Sequence, residues 1–131
     1  MRRLLWLSII AVLAGCTVMG PSPVPATKTF VVFFDSASAR LTPAAQADVD
    51  LAAATIKSTH PAHVSIAVYI KAATGDPANP RLADPRFDAV EAALVADGVD
   101  PHILVRRKLT DMEVHANPSG DRRAEIHLLK D

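Results

Sequence analysis

Phe30-Val31-Val32-Phe33-Phe34-Asp35-Ser36-Ala37-Ser38-Ala39-Arg40-Leu41-Thr42-Pro43 joins a strand, a loop and a helix start in one stretch. Phe30 to Phe34 is a continuous run of β-forming apolar side chains and predicts a buried strand. Asp35 to Arg40 is small and polar, and reads as a loop. Thr42 followed by Pro43 predicts a helix start. The hydroxyl caps an orphan N–H, and proline occupies the first position, where no N–H is needed.

Downstream, Val49, Ala52, Ala53 and Ile56 keep helical spacing to about Ser58, and Pro61 blocks continuation. Val64, Ile66, Val68 and Ile70 alternate with Ser65, Ala67 and Tyr69, which is strand patterning. Ala72 to Ala83, with Gly75, Pro77 and Pro80, reads as a loop. Asp84-Pro85 repeats the cap logic of Thr42-Pro43 and predicts a second helix with Phe87, Val90 and Leu94 on its buried stripe. Gly98 supplies the C-terminal cap. Ile103 to Leu109 and Ala124 to Leu128 read as two further strands. The order is βαβα then ββ. Two short helices can cover one face of a four-stranded sheet.

Upstream, Met1-Arg2-Arg3 precedes an apolar run from Leu4 to Leu13, interrupted by Ser8. The run has the length of a signal h-region and is too short to span a bilayer, which needs about 20 apolar residues. Thr17 to Thr29 carries Pro21, Pro23 and Pro25 among small residues, and reads as an extended spacer.

The 131 residues hold 14 Lys+Arg, 14 Asp+Glu and one Cys. Removal of residues 1–15 takes Arg2 and Arg3 with it, leaving 12 basic against 14 acidic side chains. That balance excludes nonspecific nucleic-acid binding, which requires a cationic surface. A single Cys excludes an intrachain disulfide and a CxxC site. His60 and His63 straddle Pro61 without a third ligand at metal spacing, so no metal is expected. Ser36, Ser38 and Ser119 lack the strand-turn-helix context of a nucleophile elbow, and no nucleophile–base pair is visible. No cofactor and no catalysis are expected. Arg106-Arg107-Lys108 reads as charged protection of a strand edge.

Two family resemblances follow. Leu13-Ala14-Gly15-Cys16 resembles the lipobox of bacterial lipoproteins. It implies cleavage before Cys16, lipidation of Cys16 and membrane attachment through several acyl chains. Thr17, rather than Asp, after the Cys implies the outer membrane in that family's pattern.

Phe33 to Pro43 resembles the opening FFDxDSxxLTP of the OmpA-like C-terminal domain. Asn79 to Val90 resembles its NxxLSxxRAxxV helix start, and Asp121 to Ile126 its closing NRRVEI strand. The resemblance spans about residues 30 to 129. It implies an α+β fold with βαβαββ order, a four-stranded mixed sheet and two helices on one face. It further implies noncovalent binding of peptidoglycan through the diaminopimelate of the stem peptide. A lipid anchor joined to this domain is also the arrangement of the peptidoglycan-associated lipoproteins.

Diaminopimelate presents an ammonium beside a carboxylate, so a site needs a carboxylate for the one and a guanidinium for the other. The candidate ligand-binding residues are Arg86, Asn79, Asp35, Lys71 and Arg123. Arg86 matches the family's ligand Arg, and could equally be a surface charge. Lys71 stands where the family carries the Asp that meets the ammonium, Ala83 where it carries a capping Ser, and Ala37 where it carries a second Asp. Asp35 reads either as a loop cap or as pocket lining. The expected organisation is a signal peptide (1–15), a lipidated Cys with spacer (16–29) and the folded domain (30–131). The expected partner is peptidoglycan or, if the altered motif has lost that ligand, an envelope protein.

Overall fold

The computed structural model describes residues 28–69, 79–109 and 122–129. Cys16 and its lipobox, the proline-rich stretch to residue 27, Ile70, Lys71, residues 72–78, Ser119 and Asp121 lie outside the described residues. The elements are β1 (Lys28–Phe33), α1 (Pro43–Thr59), β2 (His63–Tyr69), α2 (Asn79–Ala96), a 3-10 turn at Pro101–Ile103, β3 (Leu104–Leu109) and β4 (Arg123–Leu129). The sheet order is β1-β4-β2-β3. β4 runs antiparallel to both β1 and β2, while β2 and β3 are parallel, so the sheet is mixed. The α+β fold expected from the sequence is the fold observed.

α1 begins as its sequence predicts. The Thr42 hydroxyl accepts from the Ala45 N–H at 3.2 Å, and Pro43 opens the first turn. Ala45, Val49, Ala52, Ala53 and Ile56 form its buried stripe. The helix closes at His60, which adopts a left-handed conformation (φ 48°) and donates its backbone N–H to Ile56 O. α2 ends in a Schellman arrangement around Gly98 (φ 89°). Gly98 N donates to Val95 O at 2.9 Å, and Val99 N to Leu94 O at 3.0 Å. Val99 and Leu94 are both buried, as this motif favours.

The start of α2 departs from the sequence reading. Asp84-Pro85 does not open the helix; α2 begins at Asn79, and Pro85 lies inside it. Pro80 sits in the first turn, where a missing N–H costs nothing. Pro85 deprives the Arg81 carbonyl of its usual donor. Arg81 and Pro85 are both exposed, so water can reach that side of the helix. The compensation is tertiary. Extension toward the N-terminus buries Ala83 on the same stripe as Phe87, Val90 and Leu94. Asp84 pairs with Arg106 at 3.1 Å instead of capping.

Smaller boundaries also shift. β1 starts at Lys28, so Lys28 and Thr29, read as the end of the spacer, pair with Leu128 and His127. Phe30 to Phe34 is not buried throughout. β1 is an edge strand, Val32 faces the helices at 0% exposure, and Phe33 points the other way at 51%. Ile103 belongs to the 3-10 turn rather than to β3.

Both helices pack on one face of the sheet, α1 against β1 and α2 against β2. Val32, Val64, Ile66, Val68, Ala124, Ile126 and Leu128 supply the sheet side of this core. The alternation in β2 does not mark a solvent face, because Ser65, Ala67 and Tyr69 are buried too. The face away from the helices carries a polar chain along β4. Arg123 Nε donates to Glu125 Oε1 at 2.6 Å, His127 Nε2 lies 2.9 Å from Glu125 Oε2, and the Thr29 hydroxyl lies 3.1 Å from His127 Nδ1.

Candidate functional site

The loop between β1 and α1 is held from its two sides by its own turn and by α2. Asp35 O accepts from Ser38 N at 3.2 Å, closing a turn in which Ala37 takes φ 53°. That left-handed conformation disfavours alanine by about 1–2 kcal/mol. The Ser38 hydroxyl accepts from Arg40 N at 3.0 Å. Phe34, just past β1, donates its N–H to Arg122 O at 2.8 Å, which ties the loop to the beginning of β4.

Arg86 enters this loop from the third turn of α2. Its Nε donates to Ser38 O at 2.8 Å and its Nη2 to Asp35 O at 3.5 Å, with the guanidinium 5.3 Å from the Phe34 ring centre. Arg86 is fully buried. The helix start six residues before Pro85 places it there, because a helix beginning at residue 85 would leave Arg86 on a fraying first turn. A guanidinium suits the position. It forks to two carbonyls, stays charged when desolvated and lies against an aromatic face.

On the outer side of α2 a second arginine works in the opposite direction. Arg106 of β3 lies over the Phe87 ring at 3.6 Å. It reaches Asp84 at 3.1 Å, Asp88 at 2.7 Å and Glu91 at 3.9 Å. These carboxylates are 37–74% exposed, so the charge network contributes little energy. It accompanies a rotation of α2 that the buried stripe sets, with Arg86 toward the loop and the acidic stripe toward β3.

The structure thus brings Arg86 and the Asp35 backbone together. The Asp35 residue itself is exposed. Asn79 is the first residue of α2. Lys71 lies outside the described residues. Arg123 is not brought to Arg86: it stands on the face away from the helices, bonded to Glu125. Ser38 and Phe34 are the participants the sequence did not reveal. Their contributions are a backbone carbonyl and a ring face, neither of which has a spacing signature.

The OmpA family model matches residues 33–126. The chain belongs to the OmpA family. The match covers the Arg86 loop, both helices and the sheet as far as Ile126. The peptidoglycan-associated lipoprotein from Burkholderia pseudomallei has a similar structure, at 25% identity and TM-score 0.58, over 74% of this chain and 87% of that one. The OmpA-like domain of FopA1 from Francisella tularensis subsp. tularensis SCHU S4 shares the fold at 19% identity and TM-score 0.64, over 77% and 71%. The cell wall anchor of the T6SS from Pseudomonas aeruginosa shares it at 20% identity and TM-score 0.61, over 80% and 82%. No curated protein matches this OmpA-family chain.

Proposed function

We propose that this chain is an outer-membrane lipoprotein whose OmpA-family domain binds peptidoglycan noncovalently and tethers the membrane to the wall. The family match over residues 33–126 carries the reading. The similarity to a peptidoglycan-associated lipoprotein over 87% of that protein supports it. In this proposal residues 1–15 are a signal peptide, Cys16 bears the lipid, and a spacer leads to the strand that begins at Lys28. The domain faces the periplasm.

The ligand chemistry is that of diaminopimelate in the stem peptide. Arg86 would grip its carboxylate, with Asn79 at the head of α2 and Asp35 in the clamped loop beside it. The guanidinium is fully buried. Lys71 would repel the ligand ammonium and weaken the interaction. Arg123 is left to its pairing with Glu125.

Co-sedimentation with purified sacculi tests the reading. The protein should pellet with sacculi and be released by free diaminopimelate. Lys71→Asp should increase the pelleted fraction, and the gain should shrink in high salt. No retention of either protein would favour a domain that has lost the wall ligand and acts as a structural or protein-interaction lipoprotein of the envelope. Palmitate labelling of the wild type, lost in Cys16→Ser, tests the anchor.

A further inference from the structure

α1 buries Ala45, Val49, Ala52, Ala53 and Ile56 and turns its opposite side outward. That outer side carries Ala44, Ala47, Leu51 and Ala54, all exposed. They recur at steps of three, four and three residues, the spacing along which two helices pack as a seam. Leu51, at 58%, is the most exposed large apolar side chain among the described residues. On the adjoining α2, opposite the stripe of Phe87, Val90 and Leu94, Ala92, Val95 and Ala96 are exposed as well. Small side chains along such a strip let a second helix approach to about 8 Å.

The flanks of the seam say which helix that is. Asp48 and Thr55 stand on one flank, Asp50 and Lys57 on the other, and the three charged residues are exposed. In an antiparallel pair with two-fold symmetry, each flank meets the same flank of the second copy. Two registers bring the seams together. With Ala47 against Leu51 of the second copy, Asp48 meets Asp48 and Asp50 meets Asp50, and like charges repel. With Leu51 against Ala54 of the second copy, Asp50 meets Lys57 twice and Asp48 meets Thr55. A parallel pair brings Asp50 to Thr55 and forms no ion pair. Lys57 donates one N–H to Asp97 O at 2.7 Å and has two left for a carboxylate. Asp50 accepts from Gln46 through Oδ1 at 2.7 Å, and Oδ2 remains for an ammonium.

We propose that the outer side of α1 is a self-association surface, on which two copies of this chain pair antiparallel with Leu51 against Ala54. The apolar seam supplies the attraction, and the Asp50–Lys57 pairs select the second copy and the register. Arg86 leaves α2 on the other side, toward the loop, so pairing uses none of the wall-binding residues. It does not rest on wall binding.

Sedimentation equilibrium of the full chain in excess detergent, density-matched so that only protein mass is read, tests this. The wild type should show the mass of two chains in the micromolar range. Leu51→Lys, a change at an exposed position, should show the mass of one. Asp50→Lys turns two attractive pairs into two repulsive ones and should weaken pairing about tenfold. Asp50→Lys/Lys57→Asp restores the pairs with their signs exchanged and should regain most of that loss. Urea unfolding of each variant at the wild-type midpoint shows that the fold is intact. A single-chain mass for the wild type, undiminished pairing in Leu51→Lys, or equal pairing by Asp50→Lys and the wild type would each overturn the proposal.

Discussion

Thr42-Pro43 and Asp84-Pro85 carry the same local instruction, and the two helices treat it differently. At α1 the hydroxyl caps and the proline opens the first turn. At α2 the same pattern sits inside a helix already under way, its carboxylate turned to Arg106 and its proline accommodated on the solvent side. α1 has no competing start upstream, because the Asp35–Ser38 turn intervenes. α2 gains a buried Ala83 and an inward Arg86 by starting early. A cap signal therefore places a helix end only where packing offers nothing better. The energies involved are comparable: about 1 kcal/mol for a cap, against about 0.8 kcal/mol for burying the Ala83 methyl.

Five substitutions at four positions can break or sharpen this contrast. The largest effect belongs to Arg86→Ala. It strands the Asp35 and Ser38 carbonyls and removes a buried cation from Phe34, and should cost about 3 kcal/mol in urea unfolding. Arg86→Lys should recover less than half, since a point charge cannot fork to both carbonyls. A loss below about 1 kcal/mol would mean that α2 does not hold the loop.

Pro85→Ala comes next, and its sign is the informative part. Within a helix, restoring the donor for Arg81 O should stabilise by about 1–2 kcal/mol, read as a higher urea midpoint at unchanged slope. If Pro85 were a first-turn residue, the substitution would be neutral or slightly destabilising.

The smallest effect is a pairwise comparison of the two cap positions. Thr42→Ala should cost about 1 kcal/mol through loss of the bond to the Ala45 N–H. Asp84→Ala removes one contact of an exposed ion network and should cost at most about 0.5 kcal/mol. Equal losses at the two positions would restore Asp84 as a helix cap and contradict its pairing with Arg106.

Much of the fold was legible because its signals are local. The Thr42 cap, the stripe from Val49 to Ile56, the alternation in β2 and the Gly98 terminus depend on residues within a few positions of one another. The misread features depend on distant partners. Phe33 is exposed because β1 lies at the sheet edge, which a run of β-formers does not announce. Arg106 is exposed on an edge strand, as read, but its seat on Phe87 and its pairing with acids of α2 were not foreseen. Of the candidate site, the sequence pointed to Arg86 by resemblance, while its burial and its two backbone acceptors were invisible in it.

By itself, the sequence determined which segments become strands and helices, because periodicity, proline and capping act over one or two turns of chain. It also carried the OmpA-family motifs in their order. Tertiary structure alone decided that β4 inserts between β1 and β2, that α2 begins at Asn79, and that Arg86 and Arg123 part to opposite faces of the sheet. Strand order and side-chain destination depend on which surfaces exclude water together, and those surfaces come from residues dozens of positions apart.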